Sequence, residues 1–170
     1  MALPKGLTEA SGLISIGFTV TESGANTFTQ ARTDLQLNPL DNEVFVVYAA
    51  QMDASSPDVA AGLNTGVFAS ISTTSRTTVG NLSSSQVIAT AGNEIRGGIA
   101  DGVPFIYAST DSPATQLPYI AVIATNDFYV QIVGSNNASA KAVSGRLYGV
   151  RAKASSSIYA ALVQSELLSE

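Results

Sequence analysis

Apolar and polar residues alternate along much of this chain. In residues 14–20 every second side chain is apolar, and the positions between them are Ser, Gly and Thr. A period of two places successive side chains on opposite faces of a strand, so this segment predicts a β-strand with one buried face. Residues 29–37 alternate in the same way until Asn38-Pro39, where proline cannot donate to a ladder.

Residues 44–48 are apolar at every position, which indicates a central strand buried on both faces. Segment 83–95 also has apolar residues at helical spacing, and we interpret it as a strand. Gly, Pro, Asn and Asp separate these segments, a pattern typical of sandwiches and barrels. The further predicted strands are 67–73, 86–90, 103–108, 117–125, 128–133 and 143–153.

The pattern of residues 155–168 predicts a helix. Ser155 to Ser157 can cap it, and apolar residues recur near helical spacing from Ile158 onward. The sequence therefore predicts an all-β antiparallel sandwich in one domain, 1–170, with an N-terminal arm at 1–11 and a C-terminal helix at 155–168. A terminal helix must dock to be ordered, and either its own domain or a neighbouring subunit would serve.

The composition argues against catalysis. The chain has no His, Cys or Trp, and 12% of its residues are charged. Histidine and cysteine supply most proton transfer, nucleophilic attack and soft-metal binding, so we expect no enzyme activity and no cofactor. Ser139 and Lys141 are interpreted as solvated loop residues rather than a catalytic pair. Paired carboxylates without tryptophan platforms do not favour a glycosidase.

Metals, nucleic acid and small substrates are not expected as ligands. Asp53 and Asp58 lie in a loop that could hold calcium through oxygen ligands, but ordinary turn chemistry explains them better. The net charge of −5 disfavours nucleic acid, and no specific nucleic acid is expected. No phosphate-binding glycine motif is present. Mean hydropathy is +0.23, yet no apolar run approaches the ~20 residues that span a bilayer.

Charge is distributed unevenly. Residues 1–127 carry eleven acids and four bases, whereas 128–165 contain four bases and no acid. Such a cluster fits either a solvated edge strand or a surface that meets an acidic neighbour or an anionic membrane. Tyr159 is a further possible contact, since tyrosine is enriched at subunit interfaces. The candidate interaction surface is Lys141, Arg146, Arg151, Lys153 and Tyr159.

Over residues 12–153 the chain resembles a single jelly-roll viral capsid protein. The resemblance lies in its size, its eight or nine strands, its low charge with abundant Ser, Thr, Ala and Gly, and its closing segment Ser144-Gly-Arg-Leu-Tyr-Gly-Val-Arg151. It is similar in style to major capsid proteins of icosahedral bacterial and archaeal viruses with an internal membrane. No motif of such capsids is diagnostic. The chain lacks a long basic N-terminal arm, which suits a shell over a membrane better than one that binds RNA.

The resemblance implies a jelly-roll order and self-assembly into an icosahedral shell, with the protein located in the virion. Its partners would be copies of itself and other capsid chains, with contact to an internal membrane and no small-molecule substrate. Two other classes stay open. One is a β-sandwich ligand-binding, adhesion or decoration module, and the other is a subunit of a cell-surface layer or filament, either of them extracellular or at the cell surface.

Overall fold

A computed structural model describes residues 3–97, the backbone of 105–110, and residues 117–168. It contains ten strands, a single-turn 3₁₀ helix at Pro39–Asp41 and one α-helix, α1 (Ser156–Leu167). The strands are β1 (Leu7–Glu9), β2 (Ile14–Thr21), β3 (Thr29–Asp34), β4 (Glu43–Ala54), β5 (Thr65–Ser72), β6 (Val87–Arg96), β7 (Phe105–Thr110), β8 (Ala121–Ile123), β9 (Asp127–Ser135) and β10 (Ala142–Ala154).

The strands form two antiparallel sheets. Sheet A has the order β2-β10-β4-β8, with β1 pairing beside β2 on the same edge of β10, and sheet B has the order β3-β9-β5-β6-β7. The two halves of the chain therefore pair in reverse order: β2 with β10, β3 with β9, β4 with β8, and β5 with β6. A long hairpin wound in this way into two facing sheets is a jelly roll, so the predicted fold is confirmed.

The main core lies between the sheets and follows the alternation of the sequence. Sheet A contributes Phe45 and Leu147, and sheet B contributes Ile71 and Phe128, all of them fully buried. The rings of Phe18 and Phe128 meet edge to face across the sandwich, with centroids 6.1 Å apart. Aromatic pairs prefer this arrangement, so this contact helps to fix how the sheets are stacked.

Two glycines in β10 make room for aromatic rings of the core. A Cβ on Gly145 would overlap the Gln51 carbonyl and lie 2.6 Å from the Phe18 ring. A Cβ on Gly149 would overlap a backbone carbonyl in the same way and lie 2.6 Å from the Phe45 ring. The closing segment of β10 therefore requires glycine at both positions, because its backbone approaches these groups too closely for any side chain.

Strand β4 explains why residues 44–47 are apolar at every position. Phe45 and Val47 face the other sheet, while Val44 and Val46 face outward beneath helix α1. The helix and the N-terminal segment cover one half of the outer face of sheet A, where Val44, Val46 and Val150 lie. Ile158, Leu162 and neighbouring apolar residues of α1 pack on it. The helix therefore docks on its own chain.

Several predicted segments differ in extent from the observed strands. β4 runs to Ala54 and β6 to Arg96, well beyond the predicted 44–48 and 86–90. β3 ends at Asp34 because Gln36 adopts a left-handed conformation, although Leu35 and Leu37 stay buried as the alternation requires. In the segment predicted as a strand over 117–125, only Ala121–Ile123 pairs as β8. The segment 83–95 divides into a loop and β6, so its helical spacing has no structural counterpart.

Part of the predicted N-terminal arm is a strand. Leu7–Glu9 pairs with the end of β10, and the amides of Ala10 and Ser11 both donate to the carbonyl of Arg151. The predicted strand at 103–108 overlaps β7, and its residues 103–104 lie outside the described residues.

Candidate interaction surface

The five candidate residues lie in different environments. Lys141 is buried at one end of the sandwich, Arg151 points into the other end, and Tyr159 packs between α1 and sheet A. Arg146 and Lys153 are exposed. The structure therefore does not bring the predicted basic residues together into one surface.

Lys141 is 8% exposed, and its ammonium lies 2.5 Å from Oδ1 of Asp58. The other carboxylate oxygen accepts the amides of Ala138 and Ser139 and the Ser139 hydroxyl. The Lys141 ammonium, assisted by these donors, lowers the pKa of Asp58 to about 2. The interpretation of Ser139 and Lys141 as solvated loop residues is therefore wrong for Lys141. Both side chains donate to the same carboxylate.

This ion pair belongs to a larger polar cluster that ties three loops together. Buried Glu22 accepts the amides of Gly134 at 2.6 Å and Lys141 at 2.8 Å. Asn137 donates its side-chain amide to the Gly66 carbonyl and accepts the Asp58 amide. The loops that follow β2, β4 and β9 are thus fixed to one another by buried hydrogen bonds, each of which costs free energy to break.

Arg151 lies at the opposite end of the sandwich from Lys141. Its Nη2 donates to the carbonyl of Leu35 at 3.1 Å, and its Nε is buried without a partner among the described residues. Lys153 lies 3.5 Å from the carboxylate of Asp41, with both side chains half exposed. An exposed pair at this distance contributes little to stability.

Arg146 lies on the half of sheet A that the helix leaves open. Its guanidinium has neither an ion pair nor a hydrogen bond within the described part of the chain. Together with Gln51, Asp53 and Ser144 it lines a shallow depression of about 520 Å³. This open half carries mostly uncharged polar side chains and is the part of the predicted surface that remains available for contacts.

Helix α1, which carries Tyr159, is anchored at its end by a buried carboxylate. Glu166, in the last turn of α1, accepts the amide of Ala124 at 2.8 Å and the amide of Thr125 at 2.9 Å. Both amides lie just past the end of β8, so Glu166 provides acceptors that no neighbouring strand supplies there. The hydroxyl of Tyr159 has no described partner, and the ring contributes apolar contact to the second core.

The structure does not assemble Asp53 and Asp58 into a calcium site. Asp58 already accepts four hydrogen bonds from Lys141, Ala138 and Ser139. Among the described residues there is no group of three or more carboxylate, histidine or cysteine side chains that could hold a metal ion.

Strand β2 leaves one edge of sheet A open. Within the described chain β2 pairs only with β10, and none of its eight residues is charged or proline. The edge strand β3 of the other sheet differs, since it carries Arg32, which pairs with Asp127 at 2.6 Å. Edge strands without charge, proline or bulge are prone to pair with another strand. Alternation predicted β2 but not its place at an edge.

Isolated apolar side chains project from the loops. Leu40 is 92% exposed in the 3₁₀ turn, and Val59 is 81% exposed between β4 and β5. These two loops lie at opposite ends of the sandwich. Single exposed apolar residues are normal on a soluble protein, so they do not by themselves define an interface.

A polar network beneath loop 73–86 was missed by the sequence reasoning. On the outer face of sheet B, the Gln131 amide donates to Ser72 and Gln30, and Ser70 donates to Gln131. Gln131 is fully buried although it faces away from the core. The one sign of this network in the sequence is Gln131 itself, a glutamine within the otherwise apolar segment 128–133.

Comparison with known proteins gives no further evidence on identity. No protein-family model, curated protein or solved structure matches this chain.

Proposed function

We propose that this chain is a structural, self-assembling protein, a viral capsid subunit whose copies form an icosahedral shell. The observation that carries the proposal is the reversed pairing of the two chain halves, which makes the sandwich a jelly roll. Jelly rolls occur in viral capsid proteins and also in lectins and cupins, so the fold alone does not decide the function.

The character of the surface supports assembly. Only 12% of the residues are charged, and four of the five candidate residues already have partners within the chain or pack against it. Short Ser, Thr and Ala side chains lose little conformational entropy when a contact orders them. Such a surface can be covered by neighbouring subunits with a small entropic cost for each residue.

The open edge of β2 supplies a specific contact for a second subunit. Its outward backbone groups can pair with an extended segment of a neighbouring copy or of another capsid chain. The adjacent open half of sheet A, with Arg146 and Asp53, extends this surface. The location that follows from the proposal is the virion, with one face of the shell near an internal membrane. In the described part of the chain, no helix is long and apolar enough to cross a membrane.

Negative-stain electron microscopy of the purified protein, alone and with any partner chains, tests the proposal. We expect closed particles of uniform diameter. Fibres or flat sheets would contradict the capsid assignment and support a filament or surface-layer subunit. Dispersed monomers under every condition would contradict self-assembly and support a β-sandwich binding module.

A matched pair of lysine substitutions tests the role of the edge. Thr19 on β2 and Ser144 on β10 are directly paired, and both are exposed on the same face of sheet A. Thr19→Lys places a charge on the edge strand, whereas Ser144→Lys places the same charge on an interior strand. We expect Thr19→Lys to reduce assembly more strongly than Ser144→Lys. Equal assembly of both variants and the wild type would refute the edge contact.

A further inference from the structure

Loop 73–86 folds back over the outer face of sheet B and borders a depression of about 420 Å³. All the residues that line it have polar side chains, most of them with hydroxyl groups, and they include one cation, Arg76. The lining residues are Thr74, Ser75, Arg76, Thr77, Thr78, Ser84 and Gln86. A concave polar site of this size can hold a small molecule as well as a single ion.

The loop is held in place by buried hydrogen bonds. The Arg76 amide donates to Oε1 of Gln30 at 2.8 Å, and the Gly80 amide donates to the Ser70 hydroxyl at 2.8 Å. Gln131 in turn fixes both acceptors, because it donates to Gln30 and accepts from Ser70. The depression is therefore built on the sheet, which lowers the entropy that binding would cost.

Arg76 is poorly satisfied within the chain. Its Nη1 donates to the Ser84 hydroxyl at 3.3 Å, and its Nε is buried with no partner in the described structure. No carboxylate of the described residues lies within ion-pair distance. A guanidinium keeps its charge at any ordinary pH and prefers oxyanions. Since Nε is buried, a ligand in the depression would be bound through the Nη groups.

The neighbouring hydroxyls complement the guanidinium. Thr77 and Thr78 are exposed, and their hydroxyls have no partner in the described residues. Ser75 accepts from the Gln30 side chain, which leaves its own O–H free to donate. A ligand that carries negative oxygen together with hydroxyl groups would satisfy both the cation and these side chains.

We propose that this depression binds an oxyanion, a carboxylate or sulfate group carried by a small hydroxylated molecule such as an acidic sugar. Arg76 provides the charge, and the Ser and Thr side chains around it provide the polar contacts. This site is separate from the open edge of β2, and the proposal does not depend on shell formation.

Equilibrium dialysis with radiolabelled sulfate, glucuronate and glucose at constant ionic strength tests the proposal, since it works on assembled and unassembled protein alike. We expect saturable binding of glucuronate or sulfate at one site per chain and no comparable binding of glucose. Tighter binding of glucuronate would identify an acidic sugar as the ligand, and equal binding would identify the oxyanion alone.

Arg76→Gln should weaken this binding about tenfold or more, because it removes a charged hydrogen-bond donor. Arg146→Gln removes the same charge from the open face of sheet A and should leave binding unchanged. Arg76→Lys keeps the charge and provides a second variant if the glutamine variant does not fold. No saturable anion binding by the wild type, or equal loss in Arg146→Gln, would overturn the proposal.

Discussion

Replacing Glu166 with alanine removes the carboxylate that holds helix α1 to the end of β8. Two backbone amides then lose their acceptor, and Ala124 is 3% exposed, so water cannot easily replace it there. A hydrogen bond to a charged group contributes about 1.5–3 kcal/mol, and an unsatisfied buried donor costs a similar amount. We expect Glu166→Ala to lower the free energy of unfolding by about 2–4 kcal/mol. The loss cannot exceed the free energy of docking the helix, because the helix can detach while the rest of the fold persists.

Urea denaturation followed by circular dichroism, at concentrations below assembly, measures this loss. Gln164→Ala is the matched control, because Gln164 is exposed on the same helix and surface substitutions usually change stability by less than about 0.5 kcal/mol. Limited proteolysis should also cleave the Glu166→Ala variant first near its C-terminus. If the two variants unfold at the same denaturant concentration, Glu166 does not anchor the helix.

Two further predictions concern pH and packing. Asp58 has a folded-state pKa of about 2 against an ordinary 3.8, so its contribution to stability is present above pH 4 and is lost as the pH falls toward 2. Acid titration followed by fluorescence should therefore show a smaller pH dependence in this range for Asp58→Asn, and an unchanged profile would refute the role of its pairing with Lys141. Gly145→Ala should destabilise the fold by about 1–3 kcal/mol or more, because its Cβ meets Phe18 and a backbone carbonyl. Thermal unfolding should show no such loss for Gly17→Ala, whose Cβ would meet only a carbonyl at 3.9 Å.

The strands that alternation predicted best are those whose two faces meet different surroundings. In β2 the apolar positions face the core and the Ser, Gly and Thr positions face solvent. The continuous apolar run of β4 was also interpreted correctly as buried on both faces. The sequence did not show what covers its outer face, because the helix that does so lies more than a hundred residues later.

Strand ends were harder to predict, since they depend on hydrogen bonds with distant segments. The segment 117–125 is mostly apolar up to Ala124, but the amides of Ala124 and Thr125 donate to Glu166 rather than to a strand. β3 stops for a different reason: the amide of Leu35 still donates to the carbonyl of Asn126 opposite it, but Gln36 then adopts a left-handed conformation. Burial continues past both strand ends, so hydrophobicity alone carries no signal of where pairing stops.

The candidate surface shows the same limit for charge. The bases between 141 and 153 have no acid near them in the sequence, which made them resemble a positive surface. Lys141 forms an ion pair with Asp58, 83 residues earlier in the chain, and Lys153 pairs with Asp41. Pairing across a jelly roll joins the two chain halves in reverse order, so local charge counts do not predict which cations remain free.

Sedimentation velocity over a range of protein concentrations, in salt from low to marine levels and with any partner chains present, tests the central claim most directly. We expect a large, discrete species to form at the expense of the monomer, and we expect Thr19→Lys to shift this equilibrium back toward the monomer. A single monomeric species at every concentration and salt level would contradict the assignment as a self-assembling shell subunit.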